Sequence, residues 1–272
     1  MMTKFTRKQI LNSLNNQIKN KRAILAAGSS CGLVAKCSSE AGADLIVVYS
    51  TGKSRLMGLP TSRIGDSNKE TIKLCSEIQN VTKKTPIIGG VEAWDPTNLD
   101  TERLLDNFME AGYSGIINYP TISTMGEKWR NRREKVGLGF NKEIELIEKA
   151  NKKNIFSMAY VAEEKDAIEM AKAGADCIVP HVGATKGGIS GFSGASKLSE
   201  SIKKINSIIK SCKKYKRSIF LAHGGEIAEP EDTEKVYANT LCKGFVGASS
   251  IERIPIENAI TNIVKEFKSK KT

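Results

Sequence analysis

One phrase, a helix end followed by a glycine and a short apolar run, occurs three times and constrains the fold more than any other feature. Glu40-Ala-Gly-Ala-Asp44 precedes LIVVY, Glu110-Ala-Gly-Tyr-Ser114 precedes GIINY, and Lys172-Ala-Gly-Ala-Asp176 precedes CIVPH. The glycine suits the left-handed conformation that ends a helix, and a continuous apolar run is typical of a strand buried on both faces of a parallel sheet. Each phrase therefore predicts a junction from a helix into a parallel strand.

The rest of the chain continues this alternation. Segments with apolar residues three and four positions apart alternate with further short apolar runs. Eight strands and eight helices result, which is the count of a closed (β/α)8 TIM barrel in the α/β class. An open doubly wound sheet is the alternative, but such sheets usually have fewer strands and a dinucleotide fingerprint. The predicted strands are 23–27, 44–49, 86–90, 115–118, 156–160, 177–180, 219–223 and 244–247.

No linker or low-complexity tract divides the 272 residues, so we expect one domain over 1–272. An extra N-terminal helix within 1–20 is expected to cover the barrel floor, and the barrel itself occupies 23–268. No apolar run approaches the roughly 20 residues that cross a bilayer. The six cysteines form no C-x-x-C pair, which favours reduced thiols and a cytoplasmic protein.

The net charge of +12 raises the question of a nucleic-acid partner. The lysines are spread over polar helix faces, however, and no zinc-finger, RRM or KH signature is present. We therefore expect a small anionic substrate, which the positive charge attracts, and no nucleic-acid or membrane partner.

The chain has only two histidines, and each stands where an apolar run ends and a glycine-containing loop begins. His181 follows CIVP, and His223 follows SIFLA. The carboxyl ends of barrel strands all point to one rim, so both imidazoles are expected in a single pocket. They are the candidate general acid and base, with Glu92 and Glu226 as further candidate catalytic groups on the same rim. A purely structural role in shaping its turn is the alternative for each histidine.

The same histidines and carboxylates could also bind a divalent metal such as Mg²⁺. The chain lacks a clustered ligand motif such as H-E-x-x-H or D-x-D. A metal therefore stays an open alternative, and no other cofactor is predicted.

Loops of small residues after the first, seventh and eighth strands are predicted to bind the substrate. Their N–H groups and hydroxyls suit phosphate or carboxylate, and many barrels bind phosphate after the last two strands. Capping a helix or turning the chain is the alternative role for these serines and glycines. The predicted substrate-binding residues, including those on other loops of the rim, are Gly28, Ser29, Ser30, Arg55, Asn118, Tyr160, Gly187, Gly188, Gly224, Gly225, Gly247, Ser249 and Ser250.

Several longer stretches are specific enough to indicate a family. They include GLVAKCSSEAGADLIVVYSTGKSRLMG, AGADCIVPHVGATKGG, LAHGGEIAEPED and GFVGASSIERIP. From about residue 26 to residue 259 the chain resembles the phosphoenolpyruvate hydrolase-like TIM-barrel family. Members of this family are also labelled phosphonopyruvate hydrolases or TIM-barrel signal-transduction proteins, and a related domain forms the C-terminal half of a plant antiviral resistance protein.

This resemblance implies a (β/α)8 barrel that assembles as a homo-oligomer. It also implies a hydrolase or lyase acting on a small phosphorylated or carboxylated metabolite, with a metabolite-sensing or protein-binding module without turnover as the alternative. Two segments differ from the family's usual pattern: 27–32 reads AGSSCG instead of a run richer in glycine, and 91–96 reads VEAWDP. Glu92 and Trp94 are expected to change the charge and volume of the pocket, so the substrate can differ from that of relatives.

Overall fold

A computed structural model describes residues 4–191, 196–215 and 218–272. Its eight strands are all parallel and lie in the order β7-β6-β5-β4-β3-β2-β1-β8. Backbone bonds from Ala222 N to Gly244 O and from Val246 N to Ala222 O, both 2.9 Å long, join the residues directly after β7 to β8. The TIM-barrel prediction is confirmed. The strands are β1 Ile24–Gly28, β2 Leu45–Val48, β3 Ile87–Gly90, β4 Gly115–Ile117, β5 Phe156–Val161, β6 Cys177–Pro180, β7 Ile219–Phe220 and β8 Gly244–Gly247.

Helices follow the strands as the sequence pattern predicts. The three repeated phrases end their helices as expected, because Gly42, Gly112 and Gly174 have φ angles of 94°, 112° and 93°. The helices are α1 Arg7–Lys19, α2 Gly32–Glu40, α3 Ser50–Leu56, α4 Ser67–Gln79, α5 Thr101–Ala111, α6 Glu127–Lys135, α7 Phe140–Lys152, α8 Glu164–Ala173, α9 Leu198–Ser211, α10 Pro230–Asn239 and α11 Arg253–Lys268, with a 3-10 turn at Ile122–Thr124.

Two of these helices lie where the sequence shows no periodicity. The helix α3 spans only seven residues, most of them buried, so an amphipathic pattern has no room to develop. The helix α6 (EKWRNRREK) is polar except for the half-exposed Trp129, and Arg130 is its one buried residue. The periodicity that signals a helix comes from an apolar stripe against the core, and neither segment has one.

The extra N-terminal helix α1 covers the floor of the barrel, as predicted. Ile10 and Leu14 on α1 are fully buried against the side chains inside the strand ring. Arg7 forms an ion pair of 2.8 Å with Asp176, directly before β6. Gln17 donates to the Asp44 carboxylate, directly before β2, at 2.8 Å. The amino ends of the strands are therefore closed, which leaves the opposite rim for a ligand.

Apolar burial occurs in two layers. One cluster lies inside the strand ring, and a larger one lies between the strands and the surrounding helices. Buried apolar area of this kind stabilises the fold by about 25 cal/mol per Å². None of the helices within the described ranges is long and apolar enough to span a bilayer.

Candidate functional site

The backbones of both histidines extend the parallel sheet beyond the ends of β6 and β7. His181 and His223 form a parallel bridge, and Val182 N donates to His223 O at 3.1 Å. On its other side, His181 N donates to Val161 O at 2.8 Å. Because the sheet fixes both backbones, the two imidazoles lie side by side at the carboxyl rim, with ring centroids 4.7 Å apart.

The loops after the two histidines are joined by backbone bonds. Gly225 N donates to Gly183 O at 2.9 Å. A side chain at Gly224 would place its Cβ 2.1 Å from Gly183 O, and the φ angle of Gly224 is 85°. Glycine is required at 224 for this close approach. The glycines after His223 therefore hold the two histidine loops together.

Backbone hydrogen bonds assign opposite tautomers to the two neutral rings. Gly183 N donates to His181 Nδ1 at 3.3 Å, so that nitrogen is an acceptor and the proton sits on Nε2. His223 Nδ1 lies 2.6 Å from Val246 O, which can only accept, so His223 carries its proton on Nδ1. Within the described residues neither Nε2 has a partner. The pair therefore offers one donor, His181 Nε2, and one acceptor, His223 Nε2.

Both rings are neutral at physiological pH. Burial lowers the pKa of His223 to about 4, and the nearby Arg55 charge acts in the same direction. Burial likewise holds the pKa of His181 well below its usual range, with further lowering by His223 and Lys204. The aqueous pKa of histidine is about 6.5. Because each ring carries only one proton, the backbone hydrogen bonds decide which nitrogen holds it, and the two rings keep opposite tautomers.

A cavity of about 320 Å³ opens at this rim, with both histidines in its wall. Its described lining includes no carboxylate side chain and three basic ones. Most of the other polar side chains in the described lining carry hydroxyl groups. The described lining residues are Tyr49, Arg55, Thr61, Tyr119, Thr124, Tyr160, Ala162, His181, Gly183, Ala184, Thr185, Ser190, Gly191, Lys204, His223, Ala248, Ser249 and Arg253.

The basic side chains of the wall are held in different ways. Arg55 is buried and donates through Nε and Nη2 to Glu252, at 3.1 and 2.6 Å. Arg253 donates to Glu257 at 3.0 Å and to Gly187 O at 2.8 Å. Lys204, on α9, has no ion pair among the described residues, and burial lowers its pKa. The arginines are fixed in place, and Lys204 is available to an anion.

Three tyrosines form an aromatic wall beside the histidines. The ring of Tyr160 lies 5.4 Å from that of His181 and 4.7 Å from that of His223. Tyr119 packs between Tyr49 and Tyr160, at 4.9 and 5.3 Å. Burial raises the pKa of Tyr49 to about 12 and that of Tyr160 well above its usual value. The phenols are therefore protonated, and they exclude water from one side of the imidazoles.

Five of the predicted site residues meet at the cavity. They are the two histidines together with Arg55, Tyr160 and Ser249, which come from strand ends, a loop and the helix α3 and lie far apart in sequence. Besides its hydroxyl, Ser249 offers a free backbone N–H. Neither this N–H group nor that of Ser250 has an acceptor within the described residues.

The predicted carboxylates lie elsewhere on the rim. Glu92 is fully buried, and both its oxygens accept from Arg63 Nε at 2.9 Å. Burial raises its pKa, and Arg63 opposes that rise. Glu226 pairs with Lys186 and accepts from Ser196 Oγ at 2.8 Å. Neither carboxylate is among the described lining residues, so their catalytic role stays a prediction.

Asn118 is also outside the described cavity lining. Its amide nitrogen donates to Tyr160 O at 3.0 Å, and its amide oxygen accepts from Tyr160 N at 2.6 Å. This side chain thus ties the end of β4 to β5 and positions the Tyr160 ring. Its contact with substrate stays a prediction.

The remaining predicted residues are small and lie around the cavity rather than in its described wall. Ser29 N donates to Val47 O, and Ser30 N donates to Glu252, so both N–H groups are used within the protein. The hydroxyls of Ser29, Ser30 and Ser250 are buried and have no partner among the described residues. Positive φ angles at Gly187 and Gly188 shape the cavity mouth. Gly28, Gly225 and Gly247 pack against the backbone or side chains of neighbouring loops.

Sequence reasoning did not select Lys204, Arg253, Tyr49 or Thr185 as site residues. Lys204 is one of many lysines on a helix, and no local pattern distinguishes it from its solvated neighbours. Arg253 could have been predicted as a site residue, because it follows the predicted anion-binding loop Gly247–Ser250 at the start of a helix. Within the described residues, no group of three or more histidine, cysteine, aspartate or glutamate side chains has a metal-binding arrangement.

Comparisons with known proteins agree with this fold. The family model described as phosphoenolpyruvate hydrolase-like matches residues 9–270. The ToMV resistance protein Tm-1(GCR237) of Solanum lycopersicum is 35% identical over 273 residues, covering 96% of this chain and 35% of that protein. The chain thus spans about a third of the length of this curated relative.

Solved structures with the same fold are more distant in sequence. A 2,3-dimethylmalate lyase has a TM-score of 0.64 at 14% identity, covering 98% of this chain and 85% of that one. A phosphonopyruvate hydrolase in complex with oxalate and Mg²⁺ has a TM-score of 0.61 at 16% identity, covering 97% and 87%. At these identities the similarity shows the fold alone.

Proposed function

Because the chain belongs to the phosphoenolpyruvate hydrolase-like family, we propose that it is an enzyme that acts on a small carboxylated or phosphorylated metabolite by proton transfer. The proposal rests mainly on the two neutral histidines with opposite tautomers in the wall of one cavity. A donor and an acceptor side by side can stabilise a substrate oxygen and remove a proton in the same step. The basic, carboxylate-free lining supports an anionic substrate.

Each group has a role that its hydrogen bonds favour. Lys204 and Arg253, with the N–H group of Ser249, bind the anionic part of the substrate. His181 Nε2 donates to an oxygen on which negative charge develops. His223 Nε2 accepts the proton, and Val246 O stabilises the resulting imidazolium through Nδ1.

The low pKa of His223 fits this role only if the substrate raises it. In the free protein a pKa of about 4 makes His223 a weak base at neutral pH. A bound anion a few ångströms away favours the protonated ring and raises this pKa. His223 therefore becomes an effective base only with its substrate in place, which limits unproductive chemistry.

The donor set of the cavity does not fit Mg²⁺, although the phosphonopyruvate hydrolase structure contains it. Mg²⁺ takes oxygen ligands, usually including carboxylates. Within the described lining there is no carboxylate, and three basic side chains oppose a cation. Glu92 and Glu226 are engaged by Arg63 and Lys186. The proposed mechanism therefore contains no metal step.

Binding is tested first, with oxalate and inorganic phosphate as probes in calorimetry. Replacing Arg253 by Gln removes one cation of the wall, so we expect the affinity for oxalate to fall about tenfold or more, as for loss of a charged hydrogen bond. Lys268→Gln, near the exposed end of the same helix, removes the same charge and is expected to bind normally. Equal affinities for the two variants would remove Arg253 from the site.

Turnover is tested with a panel of 2-oxo acids and phosphoenolpyruvate, using NMR to detect products. His223→Gln is expected to lower turnover by about 10² to 10⁴, the usual contribution of a general base, and to leave oxalate affinity within a few-fold. Unchanged turnover in a folded variant would contradict the assignment.

A second function, metabolite sensing without turnover, is favoured by one observation. Two neutral imidazoles can recognise a ligand by hydrogen bonds alone, and the low pKa of His223 keeps it neutral without a ligand. Ligand-dependent stabilisation with no product from any compound of the panel would support this function over catalysis.

A further inference from the structure

The cavity wall carries hydroxyl side chains at different degrees of burial. One group is buried and the other is half-buried or exposed. The buried group is Tyr49, Tyr160, Thr185 and Ser249, and the more exposed group is Thr61, Tyr119, Thr124 and Ser190. A ligand that reaches the histidines therefore meets hydroxyl groups both near solvent and in the interior.

Two of the buried hydroxyls are open to a ligand. Thr185 and Ser249 are each 6% exposed, and neither hydroxyl has a hydrogen-bond partner among the described residues. The loop that carries Thr185 is fixed, because Gly225 N donates to Gly183 O at 2.9 Å and Lys186 N donates to Gly225 O at 3.1 Å. Buried polar groups in proteins normally have a partner. A fixed hydroxyl without one is therefore a preformed contact for a ligand.

The phenols of Tyr49 and Tyr160 also have a proton to spare. Their oxygens lie 3.3 Å apart, so one phenol donates to the other. Each neutral phenol has one proton, and the pair therefore has two donors for a single bond. The second O–H group has no acceptor among the described residues, and both tyrosines line the cavity. This pair thus adds a donor beside the histidines.

The more exposed hydroxyls add both donor and acceptor capacity. Thr124 Oγ1 and Ser190 Oγ donate to backbone carbonyls at 3.2 and 3.4 Å, so both are left as acceptors. Thr61 Oγ1 accepts from Arg55 Nη1 at 3.4 Å and keeps its own proton. A carboxylate or a phosphate dianion uses only the donors of such a wall. A ligand hydroxyl both donates and accepts, so it uses both kinds of group.

The cavity is also larger than a two-carbon acid needs. Its volume is about 320 Å³. One water molecule takes about 30 Å³ of the liquid, so the cavity holds a ligand of roughly ten water-sized groups. An acid of five or six carbons with a hydroxyl on most of them is of this size. Oxalate would leave room for further groups.

We propose that the cavity binds a hydroxylated carboxylic acid of five or six carbons, an aldonate in chemical class. This inference rests on the proposed function, in which Arg253, Lys204 and the Ser249 N–H group bind the anionic end of the substrate. The chain hydroxyls of the ligand bind Thr185, the spare phenol of the tyrosine pair and the more exposed hydroxyls of the wall. Such a ligand satisfies polar groups that a bare carboxylate leaves unpaired.

Calorimetry with the whole chain tests this inference directly. The probes are D-gluconate, D-galactonate, D-mannonate and D-ribonate, with hexanoate as the six-carbon acid that lacks hydroxyls. We expect at least one aldonate to bind about tenfold or more tightly than hexanoate and oxalate, since two or three hydrogen bonds contribute this much. Hexanoate binding as tightly as every aldonate would overturn the inference.

Two variants test the assigned contacts. Thr185→Val and Tyr160→Phe each remove a hydroxyl and keep the shape of the side chain, so each is expected to lower the affinity for the preferred aldonate about fivefold or more. Thr82→Val is the control, because Thr82 is also buried, at 4% exposed, but precedes β3 at the amino end of the barrel. It is expected to bind like the wild type. Wild-type affinity in both cavity variants would contradict recognition by these hydroxyls.

The outcomes separate this inference from the proposed function. Oxalate binding that depends on Arg253, with no aldonate preferred to hexanoate, would overturn the inference and leave the proposed function standing. Tight aldonate binding without any product by NMR would support the inference and contradict catalysis. If neither oxalate nor any aldonate binds, both are wrong.

Discussion

At the scale of single residues, the histidine pair was predictable in position but not in chemistry. Each histidine follows an apolar run that ends at the rim, and that pattern is visible in the sequence. Their tautomers depend on Gly183 N and Val246 O, which are backbone atoms. No side-chain pattern encodes such partners, because any residue can supply a backbone N–H or C=O. The chemical difference between the two rings therefore required the fold.

The ion pair between Arg55 and Glu252 is a second feature of single residues that the sequence did not predict. Its members lie 197 positions apart in sequence, and each side chain is at most 1% exposed. Glu252 also accepts from Ser30 N at 2.6 Å, so one carboxylate joins the loops after β1, β2 and β8. A pair so distant in sequence leaves no local signal.

Removing Glu252 is expected to be costly. Glu252→Ala leaves the Arg55 charge buried without a partner, so we expect a loss of about 3 to 5 kcal/mol in the free energy of unfolding. Lys53 and Glu70 provide the matched control, since their ion pair is also 2.6 Å long but lies at the surface, with side chains 41% and 29% exposed. Glu70→Ala is expected to cost less than about 1 kcal/mol. Urea unfolding measures both, and similar losses for the two variants would contradict the account.

At the scale of elements, a buried carboxyl group on α7 joins that helix to the end of β4 and the turn after it. Glu143 accepts from Asn118 Nδ2, Thr121 Oγ1 and Ile122 N, each at 2.6 Å. Asn118 in turn bonds the backbone of Tyr160 at the end of β5. The cavity wall is thus held from behind by polar contacts between three elements. Sequence reasoning predicted these elements but not the network, because Glu143 lies within an ordinary amphipathic helix.

This network predicts a pH dependence of stability. Burial raises the pKa of Glu143 from 4.5 to about 8, so between these values the folded state holds a proton that the unfolded state has lost. The contribution is complete below pH 4.5 and is lost as the pH rises through 8, by up to about 1.4 kcal/mol per pH unit. The histidines have lowered pKa values and act in the opposite direction, but only below about pH 6.5. The range from 6.5 to 8 therefore isolates Glu143 from them.

Urea unfolding of the wild type and Glu143→Gln at pH 6.5, 7.2 and 8 measures this effect. The wild type is expected to lose stability over this range relative to the variant, whose amide does not titrate. Glu148→Gln is the control on the exposed side of the same helix and is expected to follow the wild type. Parallel pH profiles for the wild type and Glu143→Gln would rule out a protonated Glu143 in the fold.

At the scale of the whole molecule, the succession of strands and helices was predictable because a barrel repeats one physical unit. A parallel strand buried on both faces needs a continuous apolar run, and the following helix needs a glycine or another cap at its end. The β6 and β8 boundaries match the predicted ones, and the other strands differ by a few residues at their ends. The polar helix α6 was not predictable, since it lacks an apolar stripe. The helix after β8 was predicted, but not that it buries only its first turn in its own chain.

The account depends most on the two neutral, oppositely protonated imidazoles. Long-range ¹H–¹⁵N NMR at neutral pH reports the protonation of each ring nitrogen, and the variants His181→Gln and His223→Gln assign the two ring systems. We predict a proton on Nε2 alone for His181 and on Nδ1 alone for His223. A doubly protonated ring, or the same tautomer in both histidines, would contradict the proposed donor and acceptor pair.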